Sequence, residues 1–171
     1  MKIVLVGYMG SGKSTIGKIL ADGLGLDFLD LDSYIEQSEG VTIPELFKKK
    51  GEIYFRKKEN EYLRQILQKE HNFVLSTGGG APCYGNNMEI ILRGTKNVFY
   101  LKVSIGELVR RLATQKSERP LIKNIPDSDL LEFIGKHLFE RGFFYEKAWQ
   151  TIVCDGKDTQ EIAQEIRTFL V

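Results

Sequence analysis

Apolar and polar positions fall in blocks along the chain rather than alternating residue by residue. Short apolar runs at Ile3–Val6, Phe73–Ser76, Val98–Leu101 and Thr151–Val153, and one at Phe28-Leu29 with a neighbour on each side, predict five strands. Most are continuous runs, which suit strands buried on both faces of a parallel sheet. Between them apolar residues return at helical spacing, from Ile16, Ile19, Leu20 and Leu24 to Ile162, Ile166, Phe169 and Leu170. Thr42 with Glu45, Ser104 with Glu107 and Asp158 with Glu161 have the spacing of a capping box, so each marks a helix start. Strands alternating with helices predict right-handed crossovers and a three-layer α/β/α sandwich, with ligands at the carboxyl ends of the strands. No repeat, low-complexity tract or linker interrupts residues 1–171, so a single domain is expected.

One stretch departs from this pattern. Thr114–Asp129 is polar, carries Pro120 and Pro126, and is longer than a compact connection needs. Composition leaves two readings open there, a lid and a disordered loop.

Composition narrows the function classes mainly by exclusion. The 171 residues are 42% hydrophobic and 27% charged, with 24 basic against 23 acidic side chains and a net charge of +1. That excludes a disordered, collagenous or disulfide-scaffold chain, and gives no general electrostatic reason to bind nucleic acid or an acidic membrane. No apolar run approaches the ~18 residues of a membrane span, and the first strand is too short for a signal peptide. Cys83 and Cys154 lack metal-ligand spacing and are expected as free thiols in a reducing cytoplasm. His71 and His137 read as surface or helix-end residues, and Lys48–Lys50 as a basic run closing a helix. Trp149, near Phe143, Phe144 and Tyr145, reads as an anchor of the last helix–strand junction.

The chemistry begins at Gly7-Tyr-Met-Gly-Ser-Gly-Lys-Ser14, which matches G-x-x-x-x-G-K-[ST] directly after a strand and before an amphipathic helix. Its glycines let backbone N–H groups from Gly10 to Thr15 wrap phosphate oxygens at a helix N-terminus. Lys13 can reach the β- and γ-phosphates and Ser14 can ligate Mg²⁺. No Asn-Lys-x-Asp guanine reader is present, and the chain is short for a remodelling ATPase, so a compact phosphotransferase is favoured. Asp30 and Asp32 follow the second strand, where both can point at the ligand edge, although Asp32 or Ser33 can equally cap the next helix. Arg56 has Glu59 three residues on, open between a supporting partner and a solvated charge. Gly78-Gly79-Gly80 at a carboxyl-end loop permits close backbone approach to a ligand, or is a flexible turn.

Six motifs in order, GYMGSGKST, LDLD at 29–32, GExxFRxxE at 51–59, STGGGA at 76–81, ERPL at 118–121 and RxxxYE at 141–146, resemble the shikimate kinase family over essentially the whole chain. The resemblance implies a P-loop kinase fold with a five-stranded parallel sheet, an acceptor region about 32–62 and a mobile lid about 114–129. It implies transfer of the ATP γ-phosphoryl group to the 3-hydroxyl of shikimate, with Mg²⁺, by a cytoplasmic monomer. By motif match, Lys13, Asp32 and Arg119 are the catalytic candidates. Nucleotide would be held by Gly10, Ser11, Gly12, Lys13, Ser14, Thr15, Arg111, Arg119 and Asp155, with Arg110 as the competing neighbour of Arg111. Shikimate would meet Asp32, Arg56, Gly78, Gly79, Gly80 and Arg141, and Mg²⁺ would meet Ser14 and, through water, Asp30. The alternatives are a similar kinase for gluconate or a nucleoside monophosphate, and a nucleotide-dependent binding protein. Two arginines around a triple glycine favour a carboxylated ring.

Overall fold

The computed structural model describes residues 1–170. Among them the strands are β1 (Lys2–Val6), β2 (Asp27–Asp30), β3 (Phe73–Ser76), β4 (Asn97–Lys102) and β5 (Gln150–Val153). They form one all-parallel sheet in the order β2-β3-β1-β4-β5. β1 is central because Ile3–Val6 can be buried from every side, with Leu5 opposite Ser76 on one flank and Phe99 on the other. The continuous apolar runs of β1, β3 and β4 are buried as expected. β2 and β5 are edge strands with one neighbour each, and are only partly covered.

The helices are α1 (Lys13–Leu24), α2 (Leu31–Glu39), α3 (Ile43–Gln68), α4 (Asn87–Gly94), α5 (Ile105–Ala113), α6 (Asp127–Tyr145) and α7 (Thr159–Thr168). They pack pairwise, α1 on α7, α5 on α6 and α2 on α3, to complete the α/β/α layers. Packing of α1 on the sheet depends on Gly17, where a Cβ would stand 2.6 Å from the Phe28 ring. Each fully buried Leu, Ile or Phe in this core contributes on the order of 1.5–3 kcal/mol by leaving water.

Local signals set the helix starts. Thr42 and Asp158 each close a complete capping box. Ser104 closes half of one: its Oγ accepts from the Glu107 N–H, but the Glu107 carboxylate turns instead to Arg110 and Arg111. The cap of α2 is Asp30, whose carboxylate accepts from the Ser33 N–H at 3.1 Å. This corrects the alternative that put Asp32 or Ser33 there: β2 ends at Asp30 as expected, the helix starts directly after it at Leu31, and Asp32 falls in the first helical turn. α3 breaks at Gly51, whose φ of 82° leaves the helical region, so Lys48–Lys50 does close a helical segment.

The stretch from Thr114 is ordered. A single turn at Lys116–Glu118 is followed by turns closed by Ile122 N–H to Arg119 O and Ile125 N–H to Ile122 O, both 3.1 Å. Ile122 is fully buried, and Lys116 pairs with Asp127 at 2.8 Å. The irregular part ends at Pro126, earlier than the expected Asp129, because α6 begins at Asp127.

Candidate active site

The phosphate loop sits between β1 and α1 at the centre of the sheet's carboxyl edge. Gly7, Gly10 and Gly12 have φ of 149°, 79° and 92°, conformations that L side chains rarely adopt. Gly12 occupies the N-cap of α1 without a side-chain cap, so the first N–H groups of the helix, including those of Ser14 and Thr15, face outward as anion donors. Gly10 is also closed in by Leu112, which a Cβ would approach to 3.0 Å. Lys13 is buried, and its ammonium donates to Gly7 O at 2.8 Å and Tyr8 O at 2.9 Å, with Ser11 Oγ at 3.4 Å. Burial is the main force pushing this lysine down to about 8; Asp32 opposes it and Arg119 assists it. Lys13, Asp30, Asp32, Arg119 and Arg141 therefore share one electrostatic centre.

Beside the loop, Ser14 Oγ donates to Asp30 Oδ2 at 2.9 Å and lies 3.3 Å from Ser76 Oγ. Asp32 lies deeper. A Cβ at Gly78 would stand 2.9 Å from Asp32 Oδ1, so the absence of a side chain at Gly78 makes room for this carboxylate. Burial, and then the neighbouring Asp30, push Asp32 up to about 6, while Lys13 pulls the other way.

Across the triple glycine two guanidinium groups converge. A Cβ at Gly80 would lie 3.0 Å from Arg56 Nη2 and 3.2 Å from Arg141 Nη2, and one at Gly79 would lie 3.1 Å from the Met9 amide nitrogen. Arg56 Nη1 donates to both oxygens of Glu59, at 3.0 and 2.9 Å, and Glu59 is only 1% exposed. Of the two readings of Glu59, the structure selects the supporting partner. Arg56 Nε is buried without a hydrogen-bond partner, with Glu52 Oε1 at 3.8 Å. Arg141 is 8% exposed.

On the nucleotide side, Arg111 Nη1 donates to Gly10 O at 3.1 Å and its Nε to Glu107 at 2.7 Å. Arg110 points outward, its side chain 72% exposed, so Arg111 is the one turned to the phosphate loop. Asp155, at the exit of β5, has both carboxylate oxygens engaged by the N–H and Oγ of Ser104, which ties this exit to the start of α5. Arg119 donates to Gln115 Oε1 at 3.4 and 3.2 Å.

Three side chains of this region escaped the sequence reading. Tyr145 donates to Gly79 O at 2.5 Å and so fixes the glycine loop from beneath. The Tyr84 ring centre is 3.6 Å from the guanidinium carbon of Arg56, a stacking contact. His137 is no plain surface residue: it is half-buried, with Nδ1 2.8 Å from Tyr8 Oη. Tyr145 lay inside a quoted motif; for Tyr84 and His137 no spacing signal exists, because their partners are distant in sequence. Cys83 and Cys154 are both free, and Trp149 packs edge-on to Phe99 at 6.0 Å.

A lysine-bearing phosphate loop, a serine–aspartate oxygen pair, a half-buried carboxylate and a cationic pocket meet on one sheet edge, which defines a P-loop phosphotransferase with its own acceptor pocket. The family model described as shikimate kinase matches residues 9–171. A shikimate kinase of Flavobacterium psychrophilum is 46% identical over 169 residues, covering 99% of this chain and 98% of the relative. The crystal structure of shikimate kinase from Bacteroides thetaiotaomicron superposes with a TM-score of 0.88 at 39% identity, covering 98% of this chain and 95% of that one. Shikimate kinase from Acinetobacter baumannii, solved in complex with shikimate, gives a TM-score of 0.84 at 34% identity over 98% of this chain and 90% of that one. The chain belongs to the shikimate kinase family, whose members use ATP to phosphorylate a hydroxyl group of shikimate.

Proposed function

We propose that this site transfers the γ-phosphoryl group of ATP to the 3-hydroxyl of shikimate, with Arg56 and Arg141 holding the substrate carboxylate. The observation that carries the reading is the state of Arg56. Glu59 occupies Nη1, the buried Nε has no hydrogen bond, and Nη2, like Arg141 Nη2, lies against the Gly80 position. A buried N–H without a partner costs about 1–3 kcal/mol, and a carboxylate laid along the Nε–Nη2 edge would remove that cost with two charge-assisted bonds. N–H groups of Gly79 and Gly80 would donate to the same carboxylate.

Asp32 then receives the ring hydroxyls. Its carboxylate orients the attacking oxygen, which forms a bond to the γ-phosphorus as the bond to the β–γ bridging oxygen breaks; ADP leaves, and the hydroxyl proton passes to Asp32 or to water. The transition state of phosphoryl transfer is loose, so position outweighs basicity. Lys13 and Arg119 offset charge on the transferring oxygens, Gly10–Thr15 donate backbone N–H groups, and Arg111 with the Asp155 loop bounds the base. The Ser14–Asp30 pair is a hard-oxygen donor set that fits Mg²⁺, an ion that keeps several waters and takes few protein ligands. When bound there, Mg²⁺ would supply positive charge against the phosphate oxygens. Residues 114–129 act as a lid that excludes water, and 32–62 as the acceptor region, within one domain. The family resemblance implies a cytoplasmic monomer, and no described helix is long and apolar enough to cross a membrane.

The test is ADP release from MgATP with shikimate, gluconate, AMP or no acceptor, repeated on Asp32→Asn. Turnover with shikimate alone, reduced about 10²–10⁴-fold in Asp32→Asn, is the expected result. Turnover with another acceptor would overturn shikimate as the substrate, and acceptor-independent release unchanged in the variant would overturn the role of Asp32.

A further inference from the structure

The hydrogen bond between Tyr8 and His137 joins the phosphate loop to α6, the helix that carries Arg141. Tyr8 is 1% exposed, and the His137 ring stands edge-on to it at 5.4 Å with Phe133 packed on its other side at 5.4 Å. His137 precedes Arg141 by four residues, one turn on the same helical face. The guanidinium carbon of Arg141 lies 5.9 Å from the centre of the Tyr8 ring. Burial first, and Arg141 second, push His137 down to about 4, and burial raises Tyr8 to about 12. Both partners are neutral around pH 7, so the bond persists without a change of charge.

The other end of Tyr8 touches the reacting machinery. Its carbonyl accepts from the Lys13 ammonium at 2.9 Å and from the Ser11 N–H at 3.2 Å. A lysine that engages β- and γ-phosphates is drawn off these carbonyls, so nucleotide changes what holds the Tyr8 peptide. The phenol of the same residue is bonded to α6. The contacts thus run from Lys13 through Tyr8 to His137, which stands one helical turn before Arg141 on α6.

We propose that His137, through its bond to Tyr8, is a positioning residue that couples the phosphate loop to Arg141, so that nucleotide in the loop tightens the hold on the acceptor's carboxylate. The inference rests on the assignment of Arg141 to that carboxylate. Coupling of two binding sites is mutual, so shikimate tightens nucleotide by the same factor.

Calorimetric titration of shikimate into the full chain, with and without a non-hydrolysable ATP analogue and Mg²⁺, measures the coupling as a ratio of dissociation constants. In the wild type the analogue is expected to lower the shikimate Kd about fivefold or more. In Tyr8→Phe and His137→Leu the Kd without analogue stays within about twofold, and the ratio falls at least about twofold towards one, within the worth of one neutral hydrogen bond. His137→Gln, whose amide can meet the phenol, restores most of the ratio. A purely structural contact would lower the melting temperature and leave the ratio untouched. A wild-type ratio of one, or variants that keep the wild-type ratio, would overturn the coupling. Failure of the wild type to bind shikimate at all would overturn the assignment of Arg141 instead. Should His137→Leu fail to fold, Tyr8→Phe, which removes a single oxygen, decides alone.

Discussion

The proposed function gives Arg56 and Arg119 each an anionic oxygen to meet, yet the molecule anchors them in opposite ways. Arg56 is held by a buried carboxylate through two bonds to Nη1 and by an aromatic ring stacked on its face. Arg119 hangs from an irregular segment and is bonded to the neutral amide oxygen of Gln115. A guanidinium fixed by a carboxylate has its position settled before a ligand arrives, and part of its charge is already offset. One held by an amide keeps its full charge and gives up little when it moves. The first arrangement suits recognition in the ground state, and the second suits a charge delivered late in the reaction.

The sharpest way to break this division is Arg119→Ala. If Arg119 acts only on the transferring phosphoryl group, single-turnover kcat should fall by about 10³–10⁵-fold, the range seen for arginines in that role. Shikimate affinity, measured by equilibrium titration without nucleotide, should stay at the wild-type value. A variant that lost affinity in proportion to rate would show that the segment builds the acceptor pocket and not the transition state.

Protonation divides the site along a second line. In the proposed mechanism Asp32 must be ionised to hold the acceptor hydroxyl, and burial raises it to about 6. Lys13 must be charged, and burial lowers it to about 8. The active form therefore loses Asp32 as pH falls below about 6 and Lys13 as pH rises above about 8, so kcat/KM should be bell-shaped between them, falling about tenfold per pH unit on each side. In the bound complex the phosphates favour the charged lysine, so the alkaline limb of kcat should lie higher. Carboxyl ¹³C NMR of the nucleotide-free protein checks the acidic limb with no phosphate in the sample. An Asp32 carboxyl that titrated in the ordinary aspartate range would remove the physical basis of that limb.

Much of this was legible in the chain because the signals are local. Buried parallel strands need continuous apolar runs, and all five were placed with ends within a residue of the structure. The phosphate loop needs glycine at positive φ, a demand that leaves its mark in sequence. The boundary between Asp30 and Asp32 was not legible, since either carboxylate can cap a helix and only the end of β2 decides which does. Glu59 could be read either way until the burial of α3 was known. His137 and Tyr84 gave no signal, because their contacts with Tyr8 and Arg56 close over 129 positions in one case and cross from the glycine loop to α3 in the other.

Tyr84 offers the finest test of what anchoring does for Arg56. Its ring covers the guanidinium, and the two residues, with Asn60 and Asn87, line an open cleft of about 430 Å³. Without the ring, Arg56 can turn towards that cleft, and its edge for the carboxylate is no longer held in one plane. Stacking of this kind is worth about 0.5–2 kcal/mol, so Tyr84→Ala should raise KM for shikimate by about 2- to 30-fold. The value of kcat should not change, because Arg56 is assigned to binding and not to the transferring group. Tyr84→Phe keeps the ring and should restore KM, whereas Tyr84→Leu supplies bulk without a π face and should restore it only in part. Equal rescue by leucine would mean that the ring acts as a plug for the cleft, and that Glu59 alone sets the plane of Arg56.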